Sequence, residues 1–255
     1  GGIAVVCSAE GKGSGEVSIF GTDPAGLTPP PSSDHFFEYL KFGGTTPDFD
    51  VIEKTKAYVN LDPATGKASD LWAEDYVLRG PMIGPLTRKD LTETQQTLDL
   101  ASAFDIDRNP FGFTADPENP YRCFFFERWR AKHSGTVKLG AYYSIEATGN
   151  VMDGPTQVTS IVWNPEGKVV YEAVANTVDR HEGNTQGKAA VFGLLHTAGI
   201  KTIQGYPGSL VDRIQQRLVH LIPGPGRSWS LEENIPKWYK SKSRGADPAD
   251  PDFSN

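Results

Sequence analysis

Residues 121–133, "YRCFFFERWRAKH", restrict the fold of this chain more than any other stretch. Side chains on a strand alternate between its two faces with a period of two. In that register Tyr121, Cys123, Phe125, Glu127, Trp129, Ala131 and His133 share one side, while Arg122, Phe124, Phe126, Arg128, Arg130 and Lys132 share the other. A mostly apolar face backed by a largely cationic one asks for a sheet with one side covered. The apolar side carries a single carboxylate, Glu127. A carboxyl group among Phe and Trp side chains is expected to hold its proton to higher pH, the property of a general acid or base near neutrality. The alternative is that a register slip or bulge turns Glu127 outward, where it pairs with a cation of a neighbouring strand.

More strand-like runs follow: "VKLGAYYSIEA", then "TQVTSIVW" and "KVVYEAVANTVD". The last two are joined by Asn164-Pro165-Glu166-Gly167, a hairpin turn in which Pro fixes one dihedral and Gly takes the strained last position. Helical grammar comes before the strands. In "SSDHFFEYLKFGG", Ser32 or Ser33 caps a short helix, Phe36, Phe37 and Leu40 form its stripe, and Gly43 ends it. In "TTPDFDVIEKTKAYVNLDP", Thr46 is the expected cap, with Pro47 at the first helical position and Phe49, Ile52 and Val59 on one side. The stretch "LWAEDYVLRGPMIGPLTRKDL" reads as a short strand ended by Gly80 and Pro81, then a helix capped by Thr87 with Asp90 three positions on. That helix is expected to run for about 18 residues, with Leu91, Thr94, Leu98, Ala101 and Phe104 as its stripe. "DIDRNPFGFTADPENP" is rich in turn residues and reads as a loop, either an edge insertion or a lid. Further on, "QGKAAVFGLLHTAGI" adds a short element and "YPGSLVDRIQQRLVHLIPGPG" an amphipathic helix stopped by Pro223, after which Trp229 and Trp238 are candidate anchors of the tail. Helices followed by an antiparallel meander give an α+β fold with helices on one face of the sheet.

Composition removes several function classes. A chain of 255 residues with a formal charge of -7 repels phosphate backbones, so no nucleic-acid partner is expected. No apolar run reaches the roughly 18 residues of a membrane span. Cys7 and Cys123 are too few and too far apart for a disulfide framework or a thiolate zinc site. No histidine spacing suggests a preformed metal site, and neither a nucleophile elbow, a phosphate loop nor a dinucleotide fingerprint occurs, so no metal and no cofactor are expected. "GKGSGE" at the start lacks the strand that a nucleotide loop follows. The nearby "VVCSAEG" resembles the surroundings of a plastid transit-peptide cleavage site, and the alternative is an ordinary Gly- and Ser-rich N-terminus.

The order strand, Gly-Pro turn, capped helix, long loop, aromatic strand and hairpin, over about residues 45–195, resembles the SnoaL-like branch of the nuclear-transport-factor-2-like (NTF2-like) superfamily. Glu74-Asp75 stands for that family's acidic pair, Gly80-Pro81 for its turn, and Asn164 to Lys168 for the hairpin between its last strands. The resemblance implies an α+β cone, with N-terminal helices packed on a strongly curved antiparallel sheet and an interior pocket for small, often apolar molecules. It divides the chain into an N-terminal arm (1–44), the SnoaL-like domain (45–200) and a C-terminal helix and tail (201–255). Members include polyketide cyclases, dehydratases, isomerases, epoxide hydrolases and proteins with no activity, so the fold alone does not choose a reaction.

Two function classes follow. In the first, a small organic molecule undergoes cofactor-free acid/base chemistry, with Glu127 abstracting or relaying a proton. Asp75 then positions a water or substrate near the mouth, with Arg79 as its partner or as an anion clamp. Trp72, Tyr76, Phe125, Trp129 and Trp163 wall the pocket. Tyr171 and Asn176 are candidate hydrogen-bond donors to a carbonyl, although their positions fall on opposite faces of one strand. In the second class the chain is a non-catalytic interaction or assembly subunit whose arm, 208–222 helix and tail bind a protein partner, and a homodimer through the sheet is expected.

Overall fold

The computed structural model describes residues 39–81, 83–139, 143–200, 214 and 228–239, all within the unit Ser32–Asn255. Most of the expected helix before Gly43, the N-terminal arm with its plastid-like stretch, and all but Ile214 of the expected 208–222 helix lie outside the described residues.

Helix α1 spans Val51–Asn60. Its cap is Asp50, whose Oδ1 accepts from the amides of Ile52 and Glu53 at 2.9 and 3.0 Å. The helix therefore starts four residues later than a Thr46 cap would place it, because one carboxylate satisfies two of the free N-terminal donors. Its buried stripe is Val51, Thr55, Tyr58 and Val59. Strand β1 (Trp72–Arg79) and the short β2 (Leu86–Thr87) lead into α2, Arg88–Leu98, capped by Thr87 as expected. Between β1 and β2 the chain needs Gly84, at φ 85°, where a Cβ would collide with Leu78 O. The long single helix is not formed: Asp99 takes a left-handed conformation (φ 41°), ends α2, and leaves only the single turn α3, Leu100–Ala103.

The segment expected to be a loop is two strands, β3 (Phe104–Asp107) and β4 (Pro110–Ala115). The aromatic run itself forms β5 (Arg122–Glu127) and β6 (Arg130–His133). A small hairpin follows, β7 (Val137–Leu139) with β8 (Tyr143–Ile145), then β9 (Val151–Asp153), β10 (Gln157–Trp163), β11 (Val169–Thr177) and helix α4 (Ala190–Thr197). The hairpin between β10 and β11 is closed as expected: Gly167 sits at φ 70°, and Asn164 Oδ1 accepts from Lys168 N at 2.7 Å.

The fold is α+β, with few helices and a sheet rich in antiparallel pairs. One pairing departs from a simple meander, since β1 lies parallel to β11. The six-stranded sheet has the order β2-β1-β11-β10-β5-β4, and a three-stranded sheet has the order β3-β6-β9. The second continues the first, because β3 runs on into β4, β5 into β6 and β9 into β10. All three paths bend together, at Arg108–Asn109, at Arg128–Trp129 and at Gly154–Thr156. The bend stays hydrogen-bonded: Arg128 N donates to Arg108 O at 3.1 Å, and Gly154 N to Trp129 O at 2.9 Å. Asn109, at φ 42°, takes the left-handed turn that Asn tolerates better than most residues.

Register fixes the two faces. Gln157, Thr159 and Ile161 lie opposite Glu127, Phe125 and Cys123, and Ile161 lies opposite Glu172, which pairs with Leu78 of β1. This face turns toward α1 and forms the interior. The other face of β1 and β11 is covered by the chain's own residues 228–239. Trp238 stacks on Tyr39 (centroids 5.2 Å apart) and meets Tyr171 edge-on at 6.3 Å, while its Nε1 donates to Asp75 O at 3.2 Å. Ser230 binds the start of α2 through Thr87 N, at 2.8 Å. The tryptophan expected to anchor the tail thus occupies part of the outer face on which a homodimer through the sheet could be built.

Candidate active site

Glu172 is the decisive residue. It sits on β11 facing inward, buried to 5 % of its free surface. Tyr58 OH donates to Glu172 Oε1 in a short hydrogen bond, and Trp72 Nε1 in turn donates to Tyr58 OH at 2.6 Å. The Tyr76 ring stacks on Trp72 with centroids 4.8 Å apart, which brings its hydroxyl beside the same carboxylate but without a hydrogen bond of ordinary geometry. Loss of hydration raises the Glu172 pKa from its ordinary 4.5 to about 7. The hydrogen bond from Tyr58, the charge of Arg108 and the proximity of Tyr76 pull it down, and the Glu127 carboxylate pushes it up. Tyr58 and Tyr76 are themselves held well above the ordinary phenol range, first by burial and then by the Glu172 charge. Both therefore keep their protons whenever Glu172 is ionised.

Glu127 lies at the bend, buried on the expected face and wholly engaged. Arg108 Nε and Nη2 donate to Oε2 at 2.9 and 2.7 Å, Trp129 Nε1 donates to the same oxygen at 2.8 Å, and Thr159 Oγ1 donates to Oε1 at 2.7 Å. The guanidinium also lies over the Trp129 ring, 5.2 Å from its centroid. Glu127 thus keeps the expected interior face rather than the outward one of the alternative, and it is paired with its cation there. Arg108 reaches further. Asp62 Oδ1, in the loop after α1, stands 3.8 Å from Arg108 Nη1, within ion-pair range, and Nη1 has no hydrogen-bond partner among the described residues. Gln95 holds that loop by donating to Pro63 O and Ala64 O at 2.9 and 3.1 Å.

Of the sequence-predicted residues, Trp72, Tyr76, Phe125, Glu127, Trp129 and Trp163 are buried on the inner face, and Trp163 is tied to α1 by its Nε1 donating to Thr55 Oγ1 at 2.9 Å. The other four are not brought to them. Asp75 is on the outer side of β1, 3.5 Å from Tyr39 OH. Arg79 points the same way and donates to Gly84 O, tying the turn before α2. Tyr171 packs under the tail, and Asn176 is exposed on the outer face. Strand alternation decides this for the first three: Asp75, Val77 and Arg79 oppose Tyr76 and Leu78, and Val77 pairs with Tyr171. Asn176 joins Tyr171 on the outer face, against the expected opposite faces, because the register of β11 shifts by one residue between Ala173 and Asn176, where Ala175 sits at φ 61°. Sequence reasoning passed over Glu172, Tyr58 and Arg108. Tyr58 could have been found as the seventh residue after Val51 on the buried stripe of α1.

Among the described residues no cluster of three or more His, Cys, Asp or Glu could hold a metal ion, and no helix is long and apolar enough to cross a membrane. Cys123 is a free, buried thiol whose pKa burial raises, an unreactive environment.

No family model matches the chain, and no curated protein does. Among solved structures, an epoxide hydrolase/cyclase-like enzyme of pyran ring formation in the polyether salinomycin is 12% identical, with a TM-score of 0.33 over 48% of this chain and 86% of that one. A protein from Catenulispora acidiphila in complex with S-DNPA is 11% identical, with a TM-score of 0.33 over 49% and 89%. A protein of unknown function from Mycobacterium tuberculosis is 10% identical, with a TM-score of 0.33 over 79% and 98%. The functional reading therefore rests on the chain's own residues.

Proposed function

We propose that the chain is a SnoaL-like, NTF2-like protein that binds a small, largely apolar organic molecule inside its bent sheet and catalyses cofactor-free proton transfer, with Glu172 as the acid/base. The observation that carries this reading is a carboxyl group with a pKa of about 7, buried among Tyr58, Tyr76 and Trp72. A base poised at neutrality is matched to abstracting a proton next to a carbonyl, and it can return that proton to another carbon of the same molecule, which is an isomerisation. Ionised Glu172 takes the proton, and Tyr58 keeps the carboxylate oriented while Trp72 orients Tyr58. The guanidinium of Arg108 offers Nη1, which is within ion-pair range of Asp62 but makes no hydrogen bond among the described residues, to the oxygen on which negative charge develops. Glu127 is then the counter-ion that fixes Arg108, a positioning residue. The aromatic walls exclude water and so strengthen each of these interactions. The competing assembly reading rests on the arm, the 208–222 helix and the tail, and of these the described part of the tail is engaged within the chain, with Trp238 and Tyr239 packed on Tyr171.

The test is exchange of deuterium from solvent into an enolisable probe, 2-tetralone, followed by NMR. The wild type should accelerate exchange with a rate that rises through about pH 7, and Glu172→Gln should lose it by about a hundredfold or more. Equal exchange with wild type and variant at every pH would remove the proposal.

A further inference from the structure

Beyond Glu127 the interior face continues along β6 to its end, where it meets an imidazole that the chemistry above does not use. His133 is fully buried and stacks on Phe104, its cross-strand neighbour, with centroids 4.8 Å apart. Thr148 N donates to its Nδ1 at 3.3 Å, and Thr148 Oγ1 lies 3.0 Å from the same atom. A ring nitrogen that accepts an amide hydrogen carries no proton, so in the neutral ring the hydrogen is on Nε2. Nε2 is buried and has no hydrogen-bond partner among the described residues. The ring's orientation is set on one side by Thr148 and on its face by Phe104, an arrangement that points a donor without giving it an acceptor.

The surroundings define what such an acceptor can be. Ala103, Phe104, Trp129, Ala131, Val137, Met152 and Leu194 make this end of the interior an apolar cluster between β3, β6, β9 and α4. A carboxylate or phosphate would have to give up its hydration in that apolar cluster, which disfavours charged acceptors. A neutral carbonyl oxygen loses little hydration and accepts one hydrogen bond. Trp129 joins the two regions, since it belongs to this cluster and also donates to Glu127.

We propose that the end of the interior beside His133 is a binding subsite for the ketone or ester carbonyl of an otherwise apolar ligand, with the Nε2 hydrogen of His133 as the donor. The proposal rests on the interior being a ligand site but not on the acid/base role of Glu172. It assigns His133 to binding and specificity rather than to proton transfer.

Two probes of one shape test it on the full chain: 2-acetylnaphthalene, and 2-ethylnaphthalene, which lacks the oxygen. By calorimetric titration the wild type and Glu172→Gln should both bind the ketone about tenfold more tightly than the hydrocarbon, the value of one buried hydrogen bond. His133→Phe keeps a ring to stack on Phe104 and should bind both probes equally. In protein labelled with 15N histidine, the Nε2 resonance of His133 should move on adding the ketone and stay still on adding the hydrocarbon. Equal affinities in the wild type, no binding of either probe, or an unmoved Nε2 resonance at saturating ketone overturns the subsite, and the NMR arm decides even where His133→Phe does not fold. Loss of ketone preference with exchange activity intact would sink the subsite alone. Loss of exchange with the preference intact would sink the role of Glu172 alone.

Discussion

The carboxyl group of Glu172 should make the protein's stability depend on pH in a direction opposite to that of most carboxylates, and Glu172→Gln should abolish that dependence. In the folded chain the group titrates at about 7, against an ordinary value of 4.5. Between those values the folded state holds a proton that the unfolded chain has released, so stability falls as pH rises across the window and levels off above it. Each unit of difference corresponds to about 1.4 kcal/mol, and a shift of this size therefore costs about 3 kcal/mol by pH 8. Glutamine keeps the shape and the acceptor for Tyr58 but carries no titrating proton. At pH 5 the variant should be within about 1 kcal/mol of the wild type, because a neutral carboxyl and an amide offer Tyr58 similar acceptors. At pH 8 it should be the more stable protein by about 3 kcal/mol. Urea unfolding followed by tryptophan fluorescence at half-unit steps from pH 5 to 8.5 measures the difference directly, since all other titrating groups are common to both proteins. Two parallel stability curves would refute the reasoning and return Glu172 to an ordinary carboxylate.

Other substitutions probe the frame around that group. Arg108→Met leaves Glu127 buried without its cation and should destabilise by about 3–5 kcal/mol in the same unfolding assay. It should also move the Glu172 titration, followed by the infrared band of its protonated carboxyl, to higher pH, whereas Glu127→Gln should move it lower. Asp50→Ala removes both cap hydrogen bonds of α1 and should cost about 1 kcal/mol, with Asp50→Asn recovering most of it. Trp238→Ala frees the tail from Tyr39 and Tyr171 and should cost about 2 kcal/mol, read as faster tryptic cleavage after Lys237 with no change in ligand binding.

How far the sequence shows this arrangement depends on which faces are covered. Residues 121–133 alternate cleanly because their outer side faces solvent over much of its length, so the apolar positions and Glu127 could be read directly. In "VVYEAVAN" the outer face is covered as well, by Trp238 and Tyr239 packed on Tyr171. Tyr171 and Glu172 are both buried as a result, the period of two disappears, and the acid that matters is hidden in an apolar run. Arg108 was hidden differently. Asn109-Pro110 and Gly112 are turn residues used to bend a strand, and their density made β3 and β4 look like a loop. The break in the helix at Asp99 had no cue, since Leu98 and Leu100 keep the apolar pattern across it.

The bend in the sheet explains why two interior acids take different states. At the crease three strand paths turn together, which brings Arg108 from the first path across to Glu127 on the second and leaves room for the indole of Trp129 beneath the guanidinium. A carboxylate there receives four hydrogen bonds, one charge-assisted pair among them, and so is compensated as an anion. Glu172 lies on β11 beneath α1, and among the described residues only Tyr58 donates to it directly. One phenol hydrogen bond does not replace the hydration of a charge, so this acid holds its proton up to neutrality. The helix that covers Glu172 also supplies its only hydrogen-bond donor among the described residues, and the crease supplies the positive charge that keeps its titration from rising further. Folding the sheet at Arg108 and Trp129 therefore produces a carboxylate that holds a cation in place, and leaves on β11 an acid that exchanges its proton near neutrality.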